Sequence, residues 1–383
     1  MGRIELDEAE VDRIEALRTD GFPVLSLFLG QDGPVRGSTA RLKTLLKPIL
    51  EQSSELSRAA GRSVTADVDR ILGLGERLTG DGGQGVAVFA CTGADLFGRI
   101  DLPAPARDRA VLSDRPYVRP LRAMLSELHR YCAVVLDRRR AEIFEFRFGR
   151  LEHWEQMNEE EVRKSNYGGF GGYDEVKVRS HGDEVAHRHF RDTAARLSRL
   201  MSEEPFDLLL VGGQSESIDG LVAELRSDIR PLLAGTFPID MRTMTPALVS
   251  GRCAELAAAH DVLEQGNLVN ELIDAAKGGG SAVLGLGWVI DAVNQKAVYL
   301  LVIDTSDSVE GWECGACGWI TAEPTSVCPA CSANMRPAPD LLDAAGRAVE
   351  ASGGRVRHVF VDTALADSHV GALLRFPVAY QAS

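Results

Sequence analysis

Four cysteines toward the C-terminal end of the chain have the spacing of a metal site. Cys314 and Cys317 form one C-x2-C pair, and Cys328 and Cys331 form a second pair after ten intervening residues. Each pair can bring two thiolates to one metal, and four thiolates with no open position describe structural, tetrahedral zinc. Two disulfides or free thiols are the alternative, which a cytosolic setting disfavours. The spacing therefore predicts one structural Zn²⁺ that supplies folding free energy and no chemistry.

Three other patterns resemble catalytic or nucleotide-binding motifs but lack an essential part. His187 and His189 form an H-x-H motif with Asp192 nearby, yet residues two apart on a helix point in different directions and cannot share one metal. Asp137 ends a predicted strand, but paired-metal nuclease chemistry needs several carboxylates together. The glycines at 278–280 lack the lysine of a phosphate-binding loop. We therefore predict no metallohydrolase, nuclease or nucleotide site from these residues.

The segment 159–183 has the character of a functional loop. It shows no strong hydrophobic periodicity, and loops of this length inside a compact domain are usually functional or disordered. Glycines let a backbone pass close to another polymer, and aromatic and basic side chains suit base stacking and phosphate pairing. A flexible tip followed by a solvated helix face is the alternative. The residues predicted to contact RNA are Gly168, Gly169, Phe170, Gly171, Gly172, Tyr173, Lys177, Arg179, Arg188 and Arg191.

A helix predicted at 183–202 has two distinct faces. Apolar side chains at helical spacing form one face, which we expect to be buried, and arginines dominate the other. The apolar face consists of Ala186, Phe190, Leu197 and Leu200. The opposite face consists of Arg188, Arg191, Ala195 and Arg199.

The elements that must position these residues alternate between strands and helices. Apolar β-rich runs at 22–30, 85–92, 131–149 and 206–213 are separated by helical stretches, which indicates a mixed α/β fold. The 383 residues are 45% hydrophobic and 26% charged, which suits about two or three globular domains. Because the net charge is −14, any nucleic-acid surface must be local. Neither a signal peptide nor a membrane span is predicted, so we expect a cytoplasmic protein without a membrane partner.

The order of these motifs resembles the archaeo-eukaryotic peptide-chain release factor and Pelota superfamily, in its bacterial branch. "VLSLFLG" and "GVAVFA" are similar to strands of the family's N-terminal domain, and "YCAVVLDRRRAEIFEF" to the hairpin that opens its middle domain. "HGDEVAHRHFRDTAARLSRL" resembles the long helix after the family's catalytic loop, and "GALLRF" resembles part of its third domain. Archaeal relatives have a cysteine-ligated zinc unit in that third domain. The similarity covers almost the whole length.

The resemblance implies a fold of three α/β domains. The first is a release-factor-like N-terminal domain over 1–125. The second is an RNase H-like middle domain over 126–244, which carries the glycine-rich loop at 159–183. The third is a ribosomal-protein-like C-terminal α/β sandwich over 245–383, with a zinc ribbon inserted at 312–334.

Two functional motifs of release factors are missing from the places where the resemblance would put them. Release factors carry Gly-Gly-Gln on the loop that 159–183 resembles, but this chain has Gly-Gly-Phe and Gly-Gly-Tyr there. The Asn-Ile-Lys-Ser tetrapeptide that reads stop codons is also missing. Gly-Gly-Gln occurs instead at 82–84 and 212–214, each beside a core strand, where glycine serves turns. We therefore expect neither stop-codon reading nor efficient peptidyl-tRNA hydrolysis.

Three hypotheses for function follow. In the first, a tRNA-shaped protein occupies the ribosomal A site in hibernation or rescue. It contacts rRNA and P-site tRNA, and a translational GTPase is a candidate partner. In the second, a codon-independent peptidyl-tRNA hydrolase acts on stalled ribosomes. In the third, a zinc-containing RNA- or protein-interaction module acts elsewhere. The glutamine-free loop favours the first over the second, and the extent of the resemblance favours it over the third. No DNA partner is expected.

Overall fold

The chain forms two compact units. The computed structural model describes residues 6–30, 39–78, 85–103, 106–127, 129–147, 149–158, 174–279, 281–304, 308–366 and 368–378. One unit, the terminal unit, combines Met1–Ser126 with Gln265–Ser383, and the other, the middle unit, is Glu127–Glu264. The mixed α/β class predicted from the sequence is confirmed. The division into three domains at 125/126 and 244/245 stays a prediction.

The N-terminal part of the terminal unit is an antiparallel sheet covered by helices. Its elements are α1 (Glu8–Glu15), β1 (Val24–Gly30), α2 (Thr39–Ser53), α3 (Arg58–Leu74), β2 (Gly85–Cys91), β3 (Leu96–Leu102), β4 (Arg109–Ser113) and α4 (Arg119–Glu127). The strand order is β3-β2-β1-β4. Every residue of β1 is buried. Leu25, Leu27 and Leu29 alternate along that strand, so they share the face that packs on α2 and α3.

The middle unit is a five-stranded mixed sheet between helices. Its elements are β5 (Arg130–Leu136), β6 (Arg140–Arg147), β7 (Arg150–Asn158), α5 (Asp174–Glu203), β8 (Leu208–Gly213), α6 (Ser215–Glu224), β9 (Leu233–Pro238) and the first part of α7 (Pro246–Lys277). The order is β7-β6-β5-β8-β9, with β8 parallel to both β5 and β9. Phe190 and Leu197 of α5 pack on one face of the sheet, and Val249 and Cys253 of α7 pack on the other.

The C-terminal part of the terminal unit contains two further sheets. Its elements are β10 (Ala282–Leu284), α8 (Leu286–Asn294), β11 (Val298–Asp304), β12 (Gly311–Cys314), β13 (Ile320–Thr321), β14 (Met335–Ala338), α9 (Leu341–Ala351), β15 (Arg355–Val359) and β16 (Val370–Leu374). The larger sheet has the order β10-β16-β11-β15, and the smaller has the order β13-β12-β14. The smaller sheet carries the four cysteines and lies between β11 and α9 in the chain, as the predicted zinc ribbon does.

A buried polar cluster joins the two parts of the terminal unit. Asp340 is 3% exposed and caps α9, because its Oδ1 accepts the backbone N–H of Leu342 at 3.1 Å. Its Oδ2 accepts the Tyr117 hydroxyl at 2.6 Å and lies 2.8 Å from Arg119 Nε. Burial raises the pKa of Tyr117, so the phenol stays a donor. One carboxylate therefore holds the end of the N-terminal part against the start of α9.

Further ion pairs surround this cluster. Arg347 of α9 pairs with Asp343, one turn earlier, and lies 3.1 Å from the Glu313 carboxylate of β12. Arg336 of β14 lies 3.3 Å from the same carboxylate and pairs with Asp114, which follows β4. Burial raises the pKa of Asp343 to about 6, although Arg347 opposes that shift. The smaller sheet is thereby tied to α9 and to the N-terminal part.

One part of the sequence-based description is wrong. The predicted loop 159–183 is helical over its second half, because α5 begins at Asp174 and not near residue 183. The lack of hydrophobic periodicity suggested a loop, but the helix is thirty residues long and its cooperativity carries it through Gly182. Acidic Asp174 and Glu175 at its start also favour a helix N-terminus.

Candidate functional site

The two cysteine pairs form knuckles with the same backbone geometry. The N–H of Cys314 donates to the carbonyl of Trp319, and the N–H of Gly318 donates back to the carbonyl of Cys314. In the second knuckle, Cys328 and Ser332 form the equivalent pair of bonds. Gly318 and Ser332 have φ values of +77° and +59°. The residue after each pair therefore takes a left-handed conformation, which turns backbone N–H groups toward the sulfurs.

The four sulfurs converge on one point. The Sγ atoms of Cys314 and Cys331 are 3.5 Å apart, as are those of Cys317 and Cys328, and all four lie within 4.8 Å of one another. Zinc–sulfur bonds of about 2.3 Å in a tetrahedron require sulfur separations of roughly 3.8 Å. Backbone N–H groups, chiefly that of Cys317, lower the pKa of Cys314 to about 7, which favours the thiolate. The residues therefore fit a four-thiolate metal centre.

Asn294 docks the smaller sheet, which carries the four cysteines, on the larger core. Its side-chain Nδ2 donates to the Ile320 carbonyl at 2.8 Å, and its Oδ1 accepts the Ile320 N–H at 3.0 Å. Ile320 itself is buried in the core that α8 and α9 share with the larger sheet. This role could not be predicted from the sequence, because an asparagine at a helix end normally indicates only a cap.

The glycine-rich segment lies mostly outside the described residues. Gly168, Gly169, Phe170, Gly171, Gly172 and Tyr173 all belong to the stretch 159–173, which is not described. Lys177 and Arg179 lie in the first turns of α5, and their side chains are outside the described part of the chain. The RNA contacts predicted for these residues stay predictions.

The exposed side of α5 carries a stripe of arginines. Arg188, Arg191 and Arg199 are exposed, whereas Phe190 and Leu197 are buried, so the two faces predicted for this helix are confirmed. None of the three guanidinium groups has an ion pair or hydrogen bond among residues 6–378 that the structure describes. Arg188 and Arg199 are eleven residues apart, so at a rise of 1.5 Å per residue the three arginines span about 16 Å along the helix axis. The stripe can therefore offer three unshared cations to phosphates.

The second Gly-Gly-Gln copy is explained by packing. A Cβ on Gly212 would lie 2.6 Å from the Phe237 ring, and one on Gly213 would lie 2.5 Å from the Leu136 carbonyl oxygen. Both glycines are therefore required where β8 ends between β5 and β9. Gln214 is exposed at the start of α6 and its side chain makes no capping bond. The other copy, at 82–84, lies outside the described residues.

The histidines and Asp137 form no catalytic group in the described part of the middle unit. His189 is 3% exposed, whereas His187 faces solvent, as residues two apart on a helix must. Asp137 instead closes the hairpin between β5 and β6, because its Oδ1 accepts the N–H groups of Arg139 and Arg140, each at 2.8 Å. Across the described ranges, the four cysteines are the single group with metal-ligand geometry.

Comparison with known proteins relates the middle of the chain to translation factors. Residues 116–258 match a family model described as bacterial archaeo-eukaryotic release factor family 10. No curated protein matches this chain. The match confirms the resemblance to the release factor and Pelota superfamily, bacterial branch, that the sequence predicted.

Several solved structures are similar over much of the chain. Pelota from Archaeoglobus fulgidus is 16% identical over 76% of this chain and 80% of its own, with a TM-score of 0.34. Dom34 from S. cerevisiae, described as a translation termination-like factor, is 10% identical over 74% and 73%, with a TM-score of 0.41. A chain of ribosome-bound archaeal Pelota with ABCE1 is 13% identical over 98% and 96%, with a TM-score of 0.42. None of the described helices is long and apolar enough to cross a membrane.

Proposed function

We propose that this chain is a ribosome-associated translation factor of the cytoplasm. In this proposal it occupies the A site as a tRNA-shaped protein of three domains, in hibernation or rescue, and does not read stop codons. The observation that carries the proposal is the arginine stripe on α5, whose guanidinium groups have no ion pair or hydrogen bond to another described residue. The stripe lies inside the stretch that matches a release factor family. An acidic protein that binds rRNA needs such a local group of free cations.

The partners follow from the same reasoning. Arg188 and Arg191 of the stripe are the described members of the predicted RNA-contacting set, and Arg199 extends it. The glycine and aromatic residues at 168–173 would reach further RNA, because they combine close backbone approach with base stacking. P-site tRNA and a translational GTPase are the remaining proposed partners. Dom34 is described as interacting with Hbs1, which supports a search for an equivalent partner here.

Replacing all three stripe arginines by glutamine should weaken ribosome binding. A plot of the logarithm of the binding constant against the logarithm of the salt concentration has a slope that reports the number of phosphate contacts. Each lost contact reduces the magnitude of that slope by about 1, so the triple substitution should reduce it by about 3. The measurement is co-sedimentation with empty and tRNA-loaded ribosomes over a salt series. The matched control replaces Arg226, Arg242 and Arg252, which are exposed but paired with Asp228, Asp240 and Glu255. Wild-type protein that stays in the supernatant at low salt would remove the ribosomal proposal.

The protein should release no peptide from peptidyl-tRNA on the ribosome above the buffer rate. The segment that resembles the catalytic loop has phenylalanine and tyrosine after its glycine pairs, and neither can replace the small amide that orients water. The measurement is a release assay on stalled complexes, with Gln84→Ala and Gln214→Ala as controls. Release that persists in both controls but disappears in Gly168→Ala/Gly169→Ala would favour the alternative, a codon-independent hydrolase.

A further inference from the structure

The metal-binding cysteines differ in exposure in a regular way. The first cysteine of each knuckle, Cys314 or Cys328, is 1% exposed, whereas the second, Cys317 or Cys331, is open to solvent. The two second cysteines are therefore the accessible residues of the centre.

A basic side chain lies beside the first knuckle. A Cβ on Gly315 would lie 3.8 Å from Cζ of Arg336, so a guanidinium stands beside the turn that links Cys314 and Cys317. Nearby cations and exposure are the two features that make a thiolate reactive. Cys91, Cys132 and Cys253 lack this exposure, because all three are buried.

The sulfurs also lie in pairs that could be oxidised across the knuckles. Cys314 is 3.5 Å from Cys331, and Cys317 is 3.5 Å from Cys328, so each exposed sulfur has a buried sulfur of the other knuckle as a near neighbour. This arrangement supplies each accessible thiolate with a resolving thiolate.

We propose that the centre is a site of modification by hydroperoxides, in which Cys317 and Cys331 react first and two cross-knuckle disulfides, Cys317–Cys328 and Cys314–Cys331, replace the metal. The inference rests on the zinc assignment and not on ribosome binding. It goes beyond the structural role that the sequence predicts for these residues.

The proposed chemistry is a balanced four-electron oxidation. The Cys317 thiolate attacks one peroxide oxygen, the O–O bond breaks, and the departing hydroxide takes a proton, which leaves a sulfenic acid. The Cys328 thiolate then attacks that sulfur, an S–S bond forms, the S–O bond breaks, and a second hydroxide is protonated to water. The same two steps join Cys331 to Cys314. Four thiolates, two peroxides and four protons thus give two disulfides and four waters, and Zn²⁺ leaves with its charge unchanged.

Oxidation of the cysteines would affect the ion pairs that tie the smaller sheet to the rest of the terminal unit. Disulfides are shorter than the sulfur separations around a metal, so the knuckles must shift when they form. Glu313 and Arg336 are carried by β12 and β14 beside those knuckles, and both belong to the ion-pair group that includes Arg347 and Asp114. Oxidation is therefore expected to weaken these ion pairs and to make the 311–338 region more sensitive to protease.

The test uses the full-length, zinc-loaded protein and hydrogen peroxide. Two equivalents of peroxide per chain should release all of the zinc to a colorimetric chelator, and peptide mapping without reductant should find the two cross-knuckle disulfides. A brief treatment with N-ethylmaleimide before oxidation should label Cys317 and Cys331 first. Cys91, Cys132 and Cys253 are the internal controls and should stay reduced. Reductant with added zinc should restore the metal content.

Three outcomes would overturn the proposal. Zinc that stays bound in a large excess of peroxide would show that the sulfurs are protected. Disulfides within each C-x2-C pair, or first labelling at Cys314 and Cys328, would contradict the proposed order and pairing. Purified protein without zinc would remove the inference together with the zinc assignment, and would leave the ribosome-binding proposal to its own sedimentation test.

Discussion

Alanine in place of Asp340 is expected to lower the free energy of unfolding of the terminal unit by about 3–5 kcal/mol, the range for breaking a buried ion pair by removing one partner. The substitution leaves the buried Arg119 guanidinium without its carboxylate and the Tyr117 hydroxyl without its acceptor. It also removes the cap of α9. The measurement is urea unfolding followed by circular dichroism.

Two further variants test whether this effect comes from the cluster. Tyr117→Phe removes a hydroxyl that donates to Asp340 and accepts from Arg109 and Arg119. It should cost about 1.5–3 kcal/mol, the range for hydrogen bonds to charged groups. Asp362→Ala removes an exposed carboxylate outside the cluster, and should change stability by less than about 0.5 kcal/mol. If Asp340→Ala were as mild as Asp362→Ala, the two parts of the terminal unit would not depend on this cluster for their attachment.

Serine in place of Cys314 is expected to abolish stoichiometric zinc binding. A structural zinc site contributes an apparent free energy of about 10–16 kcal/mol in small zinc domains, and most of it depends on the complete ligand set. Without the metal, the small core of Cys314, Cys328 and Met335 has too little apolar surface to hold the sheet. Metal analysis should find one zinc per wild-type chain, and limited proteolysis of the variant should cut within 311–338.

The control for this substitution is Cys253→Ala, which changes a buried cysteine of the middle unit. It should keep the zinc content at one per chain, with only a modest loss of stability in the middle unit. Wild-type protein without zinc, or a Cys314→Ser variant with a full complement of zinc, would contradict the assignment.

Local features of the fold could be predicted from the sequence because each has a short-range cause. The apolar run of β1 and the Asp137 turn between β5 and β6 depend on neighbouring residues, and both are confirmed. The spacing of the four cysteines likewise brings their sulfurs together. In each case the residues that determine the feature are close to it in the sequence.

Long-range features could not be predicted, because nothing local marks them. The Tyr117–Asp340 hydrogen bond joins residues 223 positions apart, and neither residue stands out in its own segment. The reciprocal bonds between Asn294 and Ile320 are of the same kind. The start of α5 at Asp174 was missed for a different reason. The segment shows no strong hydrophobic periodicity, and helix cooperativity extends α5 through it.

The glycines show how composition alone can mislead. Gly212-Gly213-Gln214 matches the sequence of a catalytic motif. Both glycines are nevertheless explained by packing, because a Cβ on Gly212 would clash with the Phe237 ring and one on Gly213 with the Leu136 carbonyl oxygen. A motif of three residues is meaningful only with its structural setting, which here is the end of a core strand.

The most direct test of the proposed function is an image of the protein bound to a ribosome at a resolution that shows side chains. We expect a molecule in the A site, with Arg188, Arg191 and Arg199 of α5 against rRNA phosphates. A complex in which that helix face points to solvent, or in which the protein binds away from the A site, would contradict this expectation.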